Sequence, residues 1–182
     1  MKRSIFALVG MPGSGKTEAT LILDNFKFSK VVMGDVIREE MKQRKIPINS
    51  KNMREFMIDL REKEGMDVVA RKCISKIEQL NSKIIIIDGL RNFEEVDFFK
   101  KNLESFKIIA VISSAETRYK RLLARKREDD SLDINLLKER DEKELSVGIG
   151  KVIEKTDFII ENEGTVEQLQ EEFKKIIYED GR

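Results

Sequence analysis

The chain has 182 residues, with 35 Lys and Arg against 34 Asp and Glu, no histidine and one cysteine, Cys73. A net charge of +1 gives no global basic field for nucleic acid, the lone cysteine excludes an internal disulfide framework and fits a reducing cytosol, and the missing histidine excludes His-mediated proton transfer and His metal ligands. No apolar run approaches the roughly 20 residues of a membrane span, so the sequence predicts one cytoplasmic domain, 1–182, with no membrane partner.

Met1–Ser4 leads straight into an apolar strand, Ile5–Val9, which predicts no cleavable signal peptide. A glycine-rich turn follows, then a helix from Thr17 to about Asp24, and a connection through Asn25–Ser29. Lys30–Met33 reads as a second strand ending at Gly34-Asp35, with a helix from Val36 to Met41 that Pro47 breaks. Ser50 is the expected N-cap of a helix with Met53, Phe56, Met57 and Leu60 on one face. After Gly65, the residues Val69, Cys73, Ile77 and Leu80 recur at helical spacing, so a helical insert spans about 34–80.

Ile84–Ile87 is four consecutive isoleucines before Asp88, the signature of a strand buried on both faces. Asn92 and Glu95 form a capping box for a helix to about Lys101, and Lys107–Ile112 is the next buried strand. Ser113 with Glu116 reads as another box, opening a charged helical stretch that breaks near Asp129–Ser131 and at Gly148–Gly150. Asp157–Glu161 is a last strand, and Thr165 with Gln168 caps a final helix with the stripe Val166, Leu169, Phe173, Ile176 and Ile177. Strands alternating with helices imply an α/β fold, a parallel sheet of about five strands flanked by helices, with ligands at the carboxyl ends of the strands.

The most informative stretch is Gly10-Met11-Pro12-Gly13-Ser14-Gly15-Lys16-Thr17. It fits the phosphate-binding pattern of Gly, four residues, Gly-Lys-Ser/Thr, between a strand and a helix. Glycines let several N–H groups point at one phosphate chain, Lys16 reaches the outer phosphates, and the Thr17 hydroxyl can ligate Mg²⁺. Asp88, ending its apolar run, is the candidate carboxylate opposite Thr17; the other reading is a turn aspartate. Asp35 and Arg38 lie one turn apart and form either an acceptor site with Gly34 or a local surface pair. Arg91, after Gly89, faces the same choice.

The basic run 118–127 puts Arg118, Arg121 and Arg125 on one helical face. Acids follow at once, which argues against nucleic acid. The sharper reading is a lid over about 115–145 whose arginines, Arg121, Arg125, Arg127 and Arg140, neutralise charge on transferring phosphates; the plainer one is a solvated face. Asn162 either approaches a nucleotide base or shapes its turn, and Cys73 reads as core.

These pieces resemble the P-loop kinases of small molecules, among them adenylate, cytidylate and dephospho-CoA kinases. Met33-Gly34-Asp35-Val36-Ile37-Arg38 resembles the Thr-Gly-Asp-x-x-Arg segment whose arginine holds AMP phosphate in adenylate kinases. Asp88-Gly89-Leu90-Arg91 resembles their Asp-Gly-Phe-Pro-Arg, one residue short and without the proline. Arg127-Glu128-Asp129-Asp130, with Arg140 after it, resembles the Arg-x-Asp-Asp and later arginine of the lid, and 156–169 is closer to dephospho-CoA kinases. The lid is short and lacks zinc-type cysteines. As a whole the chain resembles the archaeal adenylate-kinase-related, dephospho-CoA-kinase-like family. A composition rich in Lys, Glu and Ile, 38% charged and without Trp, is similar to that of hyperthermophile proteins.

The resemblance implies a P-loop nucleoside/nucleotide kinase fold with ATP and Mg²⁺. Gly10, Pro12, Gly13, Ser14, Gly15, Lys16, Thr17 and Asn162 would meet ATP, Thr17 and Asp88 the metal, and Gly34, Asp35, Arg38, Gly89 and Arg91 the acceptor. The favoured acceptor is AMP or another nucleoside monophosphate. The alternatives are a dephospho-CoA-type hydroxyl, with Asp35 as base, and a nucleotide-binding switch or slow ATPase that regulates a partner.

Overall fold

A computed structural model describes residues 3–21, 28–125 and 133–180. Strands β1 (Ser4–Val9), β2 (Phe28–Val32), β3 (Ile84–Asp88), β4 (Phe106–Ile112) and β5 (Phe158–Glu161) form one sheet in the order β2-β3-β1-β4-β5, parallel throughout. The period of two in each strand sorts its side chains to two faces. Ile5, Ala7, Val9, Ile85, Ile87, Ile108 and Ala110 enter one core, and Phe6, Leu8, Ile86, Ile109, Val111 and Ile160 the other. The isoleucine run is thus divided between both cores, and its fully buried members, Ile85, Ile86 and Ile87, each stabilise the fold by roughly 1.5–3 kcal/mol.

The first core is covered by α2 (Met33–Gln43), α3 (Ser50–Glu64), α4 (Val68–Gln79), α5 (Phe93–Asn102) and the short α8 (Ile149–Ile153). The second is covered by α1 (Lys16–Leu21) and α9 (Val166–Asp180), through Ala19, Leu169, Phe173 and Ile177. Helices α6 (Ala115–Arg125) and α7 (Ile134–Val147) lie between β4 and α8 in the chain. Among the described residues no helix is long and apolar enough to cross a membrane.

Register aligns the ends that matter. Leu8 pairs with Asp88, and Asp88 with Val32, so the carboxyl ends of β1, β2 and β3 lie side by side. Because β3 flanks β1 on one side and β4 on the other, the loop leaving β1 opens where the strand order reverses, the usual ligand position in such sheets.

Local signals were displaced by one residue in places. β2 spans Phe28–Val32 and α2 begins at Met33, not at Val36, because Met33 is buried and helical, which draws Gly34 and Asp35 into the first turn. Asn49, not Ser50, caps α3, its side chain accepting from the Asn52 N–H at 2.8 Å. Ser114, not Ser113, caps α6, accepting from the Thr117 N–H at 3.2 Å. The boxes at Asn92 and Thr165 form as expected. The end of the first helix and the connection, through residue 27, lie outside the described residues.

Asn92 is buried, accepts from the Glu95 N–H at 2.8 Å and donates to the Met66 carbonyl at 3.1 Å. Asn92→Ala is expected to lose about 2 kcal/mol, a cap plus a stranded carbonyl. Equilibrium urea unfolding checks this, and a loss below about 0.5 kcal/mol would contradict it. Burial pushes the Cys73 thiol up to about 12. At pH 8 only about one thiol in 10⁴ is then ionised, so iodoacetamide is expected to leave native protein unmodified and to label it fully in denaturant. Comparable labelling rates in the two states would contradict the buried position.

Candidate functional site

The turn Gly10–Gly15 joins β1 to α1 and is closed in by its neighbours. A Cβ on Gly10 would run into the Val111 carbonyl of β4, and Gly15, at φ 103°, lies so close to the Asn162 side-chain amide that a Cβ has no room. Five of the turn's carbonyl oxygens, those of Gly10, Met11, Pro12, Ser14 and Gly15, are engaged. The Met11 carbonyl accepts from the Ser14 N–H at 3.1 Å, that of Pro12 from Arg118 Nη1 at 3.0 Å, and that of Ser14 from Asn162 Nδ2 at 2.8 Å. Lys16 Nζ donates to the carbonyls of Gly10 (2.6 Å) and Met11 (3.2 Å). The remaining amides are what the turn has to offer an anion. Ser14 Oγ, inside the turn, is buried without a hydrogen-bond partner among the described residues.

A cavity of about 700 Å³ opens over this turn. Its walls include Gly10, Pro12, Gly13, Gly15, Lys16 and Thr17 from the turn, Asp88, Gly89 and Arg91 from the end of β3, and Arg121, Arg140 and Asn162. Gly34, Asp35 and Arg38 are not among those walls. Asp35 and Arg38 form an ion pair with each other at the start of α2, both about half exposed. They are close by, since Met33 packs against Gly89.

Lys16 is the most perturbed charge in the cavity. Burial pulls its ammonium down to about 8; Asp88 and Glu144 push the other way, while Arg91 and Arg140 add to the fall. Asp88 pairs with Lys30 of β2 at 3.0 Å, and Lys30 also donates to Thr20 Oγ1 at 3.3 Å. Thr17 is exposed toward the cavity. A hydroxyl and a carboxylate on the cavity wall are hard oxygen donors of the kind Mg²⁺ takes, with further oxygens supplied by bound phosphate.

Arg91 is held at two points. Its backbone N–H donates to Glu95 Oε2 at 2.9 Å, and its guanidinium to Glu144 Oε1 at 2.9 Å. Arg121 donates to Ser113 Oγ (3.1 Å) and to the Asn162 carbonyl (3.0 Å), tying α6 to the turn after β5. Asn162 is buried and locks the phosphate loop, while also lining the cavity. Arg140 lines the cavity from α7. The side chain of Arg125 and the whole of Arg127 lie outside the described residues, as do Asp129–Ser131.

Three contributors escaped the sequence reading, Asp141, Glu144 and Lys30, and Arg118, placed there on the basic helical face, turns inward. Arg118 is buried and makes a two-point pair with Asp141, Nη1 to Oδ1 at 3.0 Å and Nη2 to Oδ2, and Tyr119 donates to the same carboxylate at 2.9 Å. Glu144 was passed over, although it follows Arg140 by four residues and so shares its helical face. Lys30 looked like one charge in a short edge strand, and only the β2–β3 register brings it near Asp88.

A family model described as an AAA domain matches residues 9–138. A UPF0200 protein of Methanococcus maripaludis is 41% identical over 95% of this chain and 97% of its own, and one of Methanosarcina acetivorans is 39% identical over 95% and 93%. A UPF0200/UPF0201 protein of Archaeoglobus fulgidus is 39% identical, and the chain spans 56% of its length. Among solved structures, TT1252 from Thermus thermophilus covers 98% of both chains with a TM-score of 0.68 at 15% identity, a likeness of fold. The parallel sheet with a phosphate loop after its central strand is a P-loop kinase-like fold, and the chain belongs to the UPF0200 family of archaeal proteins.

Proposed function

We propose that the protein is an ATP- and Mg²⁺-dependent phosphotransferase whose acceptor is a small nucleotide-like molecule, AMP or another nucleoside monophosphate. The observation that carries this is a single cavity shared by the phosphate loop, Asp88, Arg91 and Arg140. Such a cavity has room for a donor phosphate chain at the loop and a second phosphate at Arg91.

In this reading the loop amides and Lys16 hold the outer ATP phosphates, and Lys16 exchanges the Gly10 and Met11 carbonyls for phosphate oxygens. Thr17 and Asp88 would hold Mg²⁺, which neutralises phosphate charge. Arg91 orients the acceptor phosphate through its planar fork, and Arg140 faces charge on the transferring group. An acceptor oxygen then bonds to the γ-phosphorus as the bond to the β-phosphate oxygen breaks, and ADP leaves. A phosphate oxygen is already ionised and needs no base. That favours a monophosphate over a dephospho-CoA-type hydroxyl, because Asp35, the candidate base, is outside the cavity wall and paired with Arg38. Among the arginines, Arg121 braces the site and Arg38 waits beside it. The ATP pool and the unpaired Cys73 fit a cytoplasmic location.

A coupled assay of ADP release with ATP and AMP, CMP, dTMP or dephospho-CoA tests the proposal. Release that needs one of these acceptors is expected, and Lys16→Met is expected to slow it about 10²- to 10³-fold. ATP binding without acceptor-dependent release for any of the four would leave the switch or slow-ATPase reading instead. Arg91→Ala is expected to raise the acceptor KM about tenfold with the ATP KM nearly unchanged. Arg38→Ala should do less, and the reverse ranking would move the acceptor phosphate to α2.

A further inference from the structure

The carboxylate least expected in a phosphate cavity is that of Glu144. It lies on a cavity wall with Lys16, Arg91, Arg121 and Arg140, and its side chain is only 14% exposed. Its Oε1 accepts from Arg91 Nη1 at 2.9 Å. A carboxylate and a phosphate offer a guanidinium similar pairs of oxygens. We infer that Glu144 is a specificity-determining residue that competes with the incoming acceptor phosphate for Arg91. This rests on the reading of Arg91 as the acceptor-phosphate contact.

The geometry gives the competition its form. The Arg91 backbone is fixed by Glu95, which is 1% exposed, so its guanidinium turns about an anchored base. The Arg91 side chain is half exposed while Glu144 is 14% exposed, so the guanidinium is the partner free to exchange. Helix α7 does not depend on that bond for its seat, since Leu137 is buried and Asp141 is held by Arg118 and Tyr119. A phosphate that takes the Arg91 fork through Nη1 displaces Glu144, whereas a neutral nucleoside gains nothing there. Glu144 therefore sets a threshold, and only a ligand that binds the guanidinium better than a carboxylate does can cross it.

Calorimetric titrations of AMP, adenosine and inorganic tripolyphosphate into wild type, Glu144→Gln, Arg91→Ala and the double variant test this. Tripolyphosphate carries no nucleoside, and from the loop its chain can reach Arg91 on the same cavity wall. Glu144→Gln is expected to tighten tripolyphosphate and AMP about 3- to 5-fold and to leave adenosine unchanged, a gain that a damaged fold cannot produce. In the Arg91→Ala background the gain is expected to vanish. An equal gain in both backgrounds would reduce Glu144 to a through-space charge and overturn the inference, as would no gain or a loss for tripolyphosphate. A tripolyphosphate gain with no AMP binding supports the competition and removes AMP as acceptor. Acceptor-dependent ADP release by wild type, with no gain in Glu144→Gln, keeps the transferase and discards the competition.

Discussion

Donors from three separate parts of the chain hold the carbonyl oxygens of the phosphate loop: Lys16 from α1, Arg118 from α6 and Asn162 from the turn after β5. A buried carbonyl left without a donor costs on the order of 1–3 kcal/mol, so each of these side chains constrains where the loop can sit. The constraint is reciprocal. Because Asn162 must reach the Ser14 carbonyl, the turn after β5 is drawn up to the loop, and α9 after it packs against α1. Because Gly10 has no side chain, β4 can bring the Val111 carbonyl up to the loop. The cavity is thus the space left once the loop's acceptors have been satisfied from three directions.

The same logic explains the buried pair of Arg118 and Asp141. Two charges removed from water carry a penalty that their mutual attraction offsets only when their remaining hydrogen-bonding capacity is filled. Here Tyr119 donates to the carboxylate and the Pro12 carbonyl accepts from the guanidinium. The pair therefore joins the loop, α6 and α7 in one network. At 100° per residue, Arg140 and Glu144 lie 40° apart on α7, with Asp141 100° round from Arg140. Anchoring Asp141 toward the loop turns the other two toward the cavity.

The sheet was legible because its signals are local and strong. The isoleucine run and the strand–loop–helix passage around Lys16 need no partner to be recognised, and each strand found its place. Positions decided by tertiary packing were less legible. Met33 reads as the end of a strand until its burial against Gly89 shows that the helix has begun. Ser113 reads as a cap, but its hydroxyl goes to the Asn162 carbonyl at 2.6 Å, and Ser114 takes the capping role. Within the site, Gly10–Thr17 and Asp88 follow from pattern alone, and Asn162 from its place after a strand. Lys30, Asp141 and Glu144 do not, because each is defined by a partner 23 or more residues away.

In the proposed reading, charge balance lets a near-neutral chain carry a phosphate site. Around the cavity three cations are matched by carboxylates, Lys30 with Asp88, Arg91 with Glu144 and Arg118 with Asp141. Net charge therefore says nothing about the site, and exposure separates the pairs by what they can do. Breaking a pair as buried as Arg118 and Asp141, at 7% and 12% exposure, costs about 3–5 kcal/mol, more than one incoming phosphate contact returns. In the Arg91–Glu144 pair only the carboxylate is comparably buried, at 14% against 50% for the arginine, so opening it costs less. The buried pair belongs to the frame, and in the proposed reading the half-exposed Arg91 is the one that trades its carboxylate for a ligand.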